Sequence, residues 1–219
     1  TGPHIITDGL VFAVDAASAR SYPGSGTTST DLAGTNTISL DNGVGFNSTN
    51  GGTFVFDGTN DEINTNLTTQ YTDFSCVVIF KNNNTTAWGR LVDKSYSNGF
   101  FISAYFLTGG LGYVGAGVIE PSSPHGQSLQ YDTSVYNYFV VTRSGTTHTI
   151  YLNGSGTSAS KTGSGSAMST NAMAIGSWTG GTTSQRFTGE IPVVKTYNRA
   201  LTAAEVDQDF NAYRNRFGI

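Results

Sequence analysis

The residues of this chain best suited to acid–base chemistry are its four glutamates, Glu62, Glu120, Glu190 and Glu205. Cleaving a glycosidic bond takes two carboxyl groups flanking it, and a single strand supplies them from alternate positions, which share a face. The four glutamates are far apart in sequence, and Glu205 ends the capping box Thr202-Ala-Ala-Glu205, so the chain is expected to carry no catalytic residues. Hydrolysis stays an alternative only because carboxylates can converge from distant strands. The densest acidic cluster is Asp57-Gly-Thr-Asn-Asp-Glu62. A hard cation such as Ca²⁺ binds several oxygens, and Asp57, Asn60 and Asp61 with turn carbonyls are the candidate ligands. The competing reading is a tight turn in which Asp and Asn bond their own backbone. Asp15 and Asp31 are further candidate ligands.

Sugar binding needs an aromatic platform and groups that pair with hydroxyls. Trp178, beside Gly180-Gly-Thr-Thr183, and Trp88, beside Asn82 to Thr86, are the leading candidates, followed by Tyr96 and Tyr113. Tryptophan packed into a sandwich core is the alternative for each. Gly110-Leu-Gly-Tyr-Val-Gly115 has the spacing of a dinucleotide fingerprint, but no helix or βαβ unit follows, so it reads as a glycine-rich strand or turn. His4, His125 and His148 lack metal-ligand spacing. Cys76, the only cysteine, lies inside an apolar run and is expected to be a small buried hydrophobe.

The elements that would position these residues follow from composition and periodicity. Only 12% of the 219 residues are charged, while 28 are Gly, 13 Phe and 11 Tyr. Short strands joined by polar turns, with aromatics between two sheets, fit that mixture. A net charge of −4 without a basic stripe excludes nucleic acid as the expected partner. No apolar run approaches the roughly 18 residues of a membrane-spanning helix. The chain starts at Thr1 and is expected to be processed, trimmed or cut from something longer.

Strands are predicted at Gly9–Asp15, Thr53–Asp57, Phe74–Lys81, Arg90–Lys94, Phe100–Leu107, Ala172–Trp178 and Gly189–Tyr197. Tyr136–Arg143 and His148–Leu152 form a predicted hairpin around Ser144-Gly-Thr-Thr147. Thr157–Thr170 is expected as an exposed loop or weak edge strand, and Pro192 points to an edge or a bulge. Only the C-terminus reads as helix, with Val206, Phe210 and Tyr213 on one face. No linker or repeat interrupts the series, so residues 1–219 are expected to be one domain.

Certain segments then bear a family resemblance. Gly51-Gly-Thr-Phe-Val-Phe-Asp-Gly-Thr-Asn-Asp61, the Phe74 strand and Tyr138-Phe-Val-Val-Thr-Arg-Ser-Gly-Thr-Thr-His-Thr-Ile-Tyr-Leu-Asn-Gly154 occur in that order. Ala174-Ile-Gly-Ser177, Gly189-Glu-Ile191 and Lys195-Thr-Tyr-Asn-Arg-Ala-Leu-Thr-Ala-Ala-Glu205 follow. Together they resemble the laminin-G-like branch of the concanavalin A-like lectin/glucanase superfamily over nearly the whole chain. Val14-Asp15, Ser21-Tyr-Pro-Gly-Ser-Gly-Thr-Thr28, Asp31-Leu32 and Asn211-Ala-Tyr-Arg-Asn-Arg-Phe-Gly-Ile219 resemble versions found in tailed-phage virion proteins.

The resemblance implies an all-β, two-sheet antiparallel jelly-roll sandwich, here with a short C-terminal helix, often glycan-binding and sometimes calcium-binding. The glucanase branch would carry Glu-x-Asp-x-x-Glu on one strand, which is missing here, and many relatives have an acid in the place of Pro192. The leading expectation is a non-enzymatic, lectin-like module on a virion surface or secreted, recognising glycans through loops at one edge. The alternatives are a purely structural decoration or tail-fibre domain whose partners are other virion proteins or copies of itself, and a glycoside hydrolase.

Overall fold

The computed structural model describes residues 4–83, 88–94, 99–120, 123–163, 168–179 and 185–219. Among them the strands are, in chain order, β1 (Leu10–Asp15), β2 (Thr28–Thr30), β3 (Thr37–Asp41), β4 (Gly45–Asn47), β5 (Thr53–Asp57) and β6 (Glu62–Asn64). β7 (Phe74–Asn82), β8 (Trp88–Asp93), β9 (Gly99–Phe106), β10 (Leu111–Glu120) and β11 (Ser123–Asp132) follow. β12 (Asn137–Ser144), β13 (Thr147–Leu152), β14 (Ser158–Thr162), β15 (Ala174–Ile175), β16 (Thr188–Tyr197) and the helix α1 (Ala203–Phe217) complete the series. The first sheet has the order β14-β13-β12-β7-β16-β5-β4, with β1 also on β16; the second runs β11-β10-β9-β8-β15-β6-β3-β2. Every pairing is antiparallel.

β7 shows why its sequence is apolar without a break. Side chains alternate between the faces of a strand. Phe74, Cys76, Val78 and Phe80 enter the core between the sheets, while Val77 and Ile79 face the layer under α1. A strand buried on both faces loses its polar alternation. Aromatic pairs bridge the two sheets: Phe74 stacks on Phe100 of β9 at 4.7 Å between centroids, and Phe80 meets Tyr131 of β11 edge-on at 5.1 Å. Burial in this core pushes the Cys76 thiol up to about 12, so it packs as a hydrophobe.

The helix closes the other face of the first sheet. Thr202 accepts from the Glu205 N–H, Glu205 answers at the Thr202 N–H, and Gly218, at φ 69°, ends the helix in the left-handed region. Val206, Tyr213 and Phe217 are buried there, with Phe210 half-buried beside them. Beneath the helix Lys195 Nζ lies 2.5 Å from both carboxylate oxygens of Asp209. Tyr138 donates to the same carboxylate at 2.9 Å and the Ile6 N–H at 3.3 Å. One buried carboxylate thus ties helix, sheet and N-terminal segment together.

One predicted strand is shorter than expected, and Pro192 takes the bulge of the two positions expected for it. The strand expected at Ala172–Trp178 is only Ala174–Ile175, because Gly176 turns to φ +79° beside the Phe56 ring. Pro192 lies in the centre of the first sheet, at a bulge. β16 pairs with β5 up to Ile191 and with β1 from Val193, so the proline sits where one neighbour replaces the other. β2, β3, β4, β6 and β11 were not among the predicted strands; four of them are three to five residues long. The hairpin β12–β13 and the weak edge strand β14 fall where expected.

Candidate functional site

One face of the second sheet is covered by the core and the other points outward. Phe100, Ile102 and Ala104 of β9, with Val114 and Ala116 of β10, face the core. Their neighbours in sequence therefore line the outer face. Register sets these in transverse rows. Trp88, Tyr105, Tyr113 and Gln130 form one row across β8 to β11. Arg90, Ser103, Gly115 and Ser128 form the next, and Asp93, Phe101, Gly117 and Gly126 a third. A bulge at Leu91 buries both Leu91 and Val92, which lets Arg90 and Asp93 share the outer face.

A depression of about 440 Å³ lies over these rows, lined by Trp88, Arg90, Phe101, Ser103, Gly115, Ala116, Gly126, Gln127, Ser128 and Gln185. It exists because side chains are missing from its floor. A Cβ on Gly117 would fall 2.3 Å from the Phe101 ring, whereas one on Gly126 would meet nothing within 4 Å. Trp88 is 53% exposed. Tyr105 packs against it at 4.8 Å between centroids, tilted by 33°, and does not itself line the depression. Tyr105 thus holds the indole upright while Trp88 presents the remainder of its surface to the cavity.

The floor is polar but charge-balanced. The Arg90 guanidinium lies 3.7 Å from the Phe101 centroid, donates to Ser103 Oγ at 2.8 Å, and stands 3.6 Å from Asp93. Asp93 in turn accepts from the Thr179 hydroxyl at 2.6 Å. An aromatic wall, hydroxyls and amides, with ions already facing each other, can take a neutral polyhydroxylated ligand. A second depression of about 260 Å³ on the same face is lined by Glu62, Asn64, Asn171, Ala172, Met173, Ala174 and Thr179. Its one carboxylate, Glu62, faces Arg186 at 2.9 Å and accepts from Ser177 at 2.6 Å.

Of the four aromatic candidates, Trp88 and Tyr113 lie in one row of this face, both exposed. Trp178 is half-buried beyond β15 and lines neither depression, and Tyr96 lies outside the described residues. The depression lies on a strand face; residues 84–87 and 180–184, in the loops beside the two tryptophans, lie outside the described residues. Tyr105, Phe101, Ser103 and Ser128 were not singled out in the sequence. The signal for the first three was the alternation along Phe100–Leu107, whose odd positions share Trp88's face. His148 is buried and His4 exposed.

The acidic turn is held by its own backbone. Asp57 Oδ1 accepts from the Thr59 N–H at 2.7 Å, and Asp61 accepts from the Asp57 N–H at 2.9 Å. Burial raises the Asp61 carboxyl, a shift opposed by the Asp57 N–H. Asn60 is exposed, and its carbonyl accepts from the Asn42 side chain at 3.1 Å. Among the described residues no group of three or more His, Cys, Asp or Glu side chains is placed to hold a metal ion.

A family model described as the concanavalin A-like lectin/glucanases superfamily, of the laminin-G kind, matches residues 57–207. The chain belongs to this family. No curated protein sequence matches it. Among solved structures it is similar to botulinum neurotoxin type C in a study of cell entry through two ganglioside molecules, at TM-score 0.70 and 13% identity over 94% of this chain and 52% of that one. It is similar to the binding domain of Paraclostridial Mosquitocidal Protein 1, at TM-score 0.67 and 18% identity over 95% of this chain and 53% of that one. It also resembles domain 4 of AbnA, an extracellular arabinanase from Geobacillus stearothermophilus, in complex with arabinotriose. There the TM-score is 0.64 and the identity 17%, over 92% of this chain and 98% of that domain. The chain spans about half the length of the toxin chains it matches. At these identities the likeness establishes the shared two-sheet antiparallel sandwich.

Proposed function

We propose that the chain is a non-enzymatic carbohydrate-binding module whose site is the depression on the outer face of the second sheet. The observation that carries the reading is Trp88, more than half exposed and braced by Tyr105, standing over a floor opened by Gly115 and Gly126. The apolar face of a sugar ring packs on an indole while its hydroxyls bond to side chains around the rim. Support comes from similar folds that engage gangliosides or arabinotriose. Among the described residues no carboxylate lines the depression, and the neighbouring one has a single glutamate. Hydrolysis calls for two carboxyls about 5–10 Å apart, so this lining favours binding over cleavage.

The setting we propose, a virion surface or a secreted protein, rests on the sequence resemblance to phage virion domains. A purely structural role is the second reading. Leu111 and Tyr113, exposed beside Trp88 on the same face, favour it as a contact between subunits.

Both readings are separated by a glycan-array screen of the purified chain, with and without calcium, beside Trp88→Ala and Trp178→Ala. Selective binding, lost in the folded Trp88 variant and kept in the Trp178 variant, is the expected result. Silence across the array from a folded sample would transfer the assignment to the structural role. Calcium at Asp57, Asn60 and Asp61 is tested alongside, by a melting-temperature rise in millimolar calcium that chelator reverses.

A further inference from the structure

The depression differs at its two ends, along the direction that crosses the strands. At β8 it is lined by Trp88 and Gln185, and the Arg90 N–H bonds to the Gln185 carbonyl at 2.9 Å, fixing that segment beside the strand. At the other end lies β11, the last strand of its sheet. The outward positions there are Gly126 and Ser128, both exposed, and a side chain added at Gly126 would meet nothing within 4 Å. Among the described residues one end has a wall and the other has none. Three strand spacings, roughly 14 Å, separate β8 from β11, and Gly126 stands two rows along from Trp88, so the path is roughly 19 Å, the length of three or four sugar rings.

Resting on the carbohydrate-binding reading, we infer that the depression takes the end of a linear, neutral glycan chain. Its terminal ring lies against Trp88, and the following rings cross the strands and leave the protein over Gly126. Arg90 is met by the buried Asp93 beneath the floor, which balances its charge, and the exposed Ser128 hydroxyl lies along the exit. Recognition of a chain end fits a binding site that stops at a tryptophan and opens over a sheet edge. A site for chain interiors would be open at both ends.

The test uses arabino-, xylo- and cello-oligosaccharides of one to six units, titrated calorimetrically into the wild type, Trp88→Ala and Gly126→Phe. Equal melting temperatures and far-ultraviolet spectra establish that the variants are folded. In the series that binds, affinity should rise to about three units and then level off, with one protein bound per chain. Gly126→Phe should weaken the tetramer and longer chains about tenfold more than it weakens the mono- and disaccharides. Trp88→Ala should weaken every length.

Several proteins bound along one hexasaccharide, or hexasaccharide binding untouched by Gly126→Phe, would overturn the inference. Binding of branched array glycans without binding of any linear series would also overturn it, while the carbohydrate reading stands. Silence of both the linear series and the array removes both.

Discussion

Two tryptophans look alike in the sequence, each next to a polar loop, yet the structure gives them different surroundings. Trp88 begins a strand in which it alone is exposed, and Tyr105 on the neighbouring strand braces it. Trp178 follows a two-residue strand and is half-buried. The prediction at this scale is that Tyr105→Ala weakens glycan binding less than Trp88→Ala does, because it removes a brace and leaves the platform. Equal losses in a titration of both variants would contradict it. The same scale holds a second prediction, at the buried pair Lys195–Asp209. Asp209→Ala leaves an ammonium buried without its partner and should cost roughly 3–5 kcal/mol in urea unfolding. The double variant Lys195→Met with Asp209→Leu should recover much of that loss, since apolar packing replaces two desolvated charges. A double variant no more stable than Asp209→Ala would contradict this account.

Among the elements, the helix and the turns carry the clearest local chemistry. The capping box was legible from Thr202-Ala-Ala-Glu205 because its chemistry lies within four residues. Thr202→Ala should cost about 1 kcal/mol. Arg199 is the main cause that holds the Glu205 carboxyl down at about 2, aided by the Thr202 N–H. A carboxylate whose folded value is depressed stabilises the fold fully above its unfolded value, near 4.5, and loses that contribution as pH falls through about 2. The deficit of Arg199→Met relative to the wild type, followed by melting temperature against pH, should therefore shrink only below about pH 4.5. At the other end of the chemistry scale, Gly176 combines φ +79° with a Phe56 ring 2.2 Å from where a Cβ would stand. Gly176→Ala should destabilise the chain by more than about 1 kcal/mol, read in denaturant unfolding.

Legibility followed the range of the interactions. Long strands such as β7 and the hairpin β12–β13 announce themselves by apolar runs and turn dipeptides, so they were read correctly. β2, β4 and β6 are three residues each, too short for a period to show. β11 carries Ser, Gly, Gln and Pro, which read as loop until β10 pairs with it along its whole length. The candidate site was half legible for the same reason. Trp88 and Tyr113 stood out by residue type, but the depression is built from absences, Gly115 and Gly126, that only register brings together.

For the whole molecule, the division of labour between the two sheets is the main result. The first sheet is covered on both faces, by the second sheet and by α1, and its outward side is closed by the Lys195–Asp209 pair and the apolar layer around Val206. Among the described residues nothing covers the outer face of the second sheet over β8 to β11, where Trp88, Leu111 and Tyr113 are exposed. That division predicts where a ligand must act. The most direct measurement is amide chemical-shift mapping during titration with a glycan retained on the array. The account predicts that shifts concentrate at Trp88, Ser103, Gly115, Gly126 and Ser128 and leave α1 and the Asp57–Asp61 turn unmoved. Shifts centred on that turn, or on the helix-covered side, would contradict the placement of the site on the second sheet.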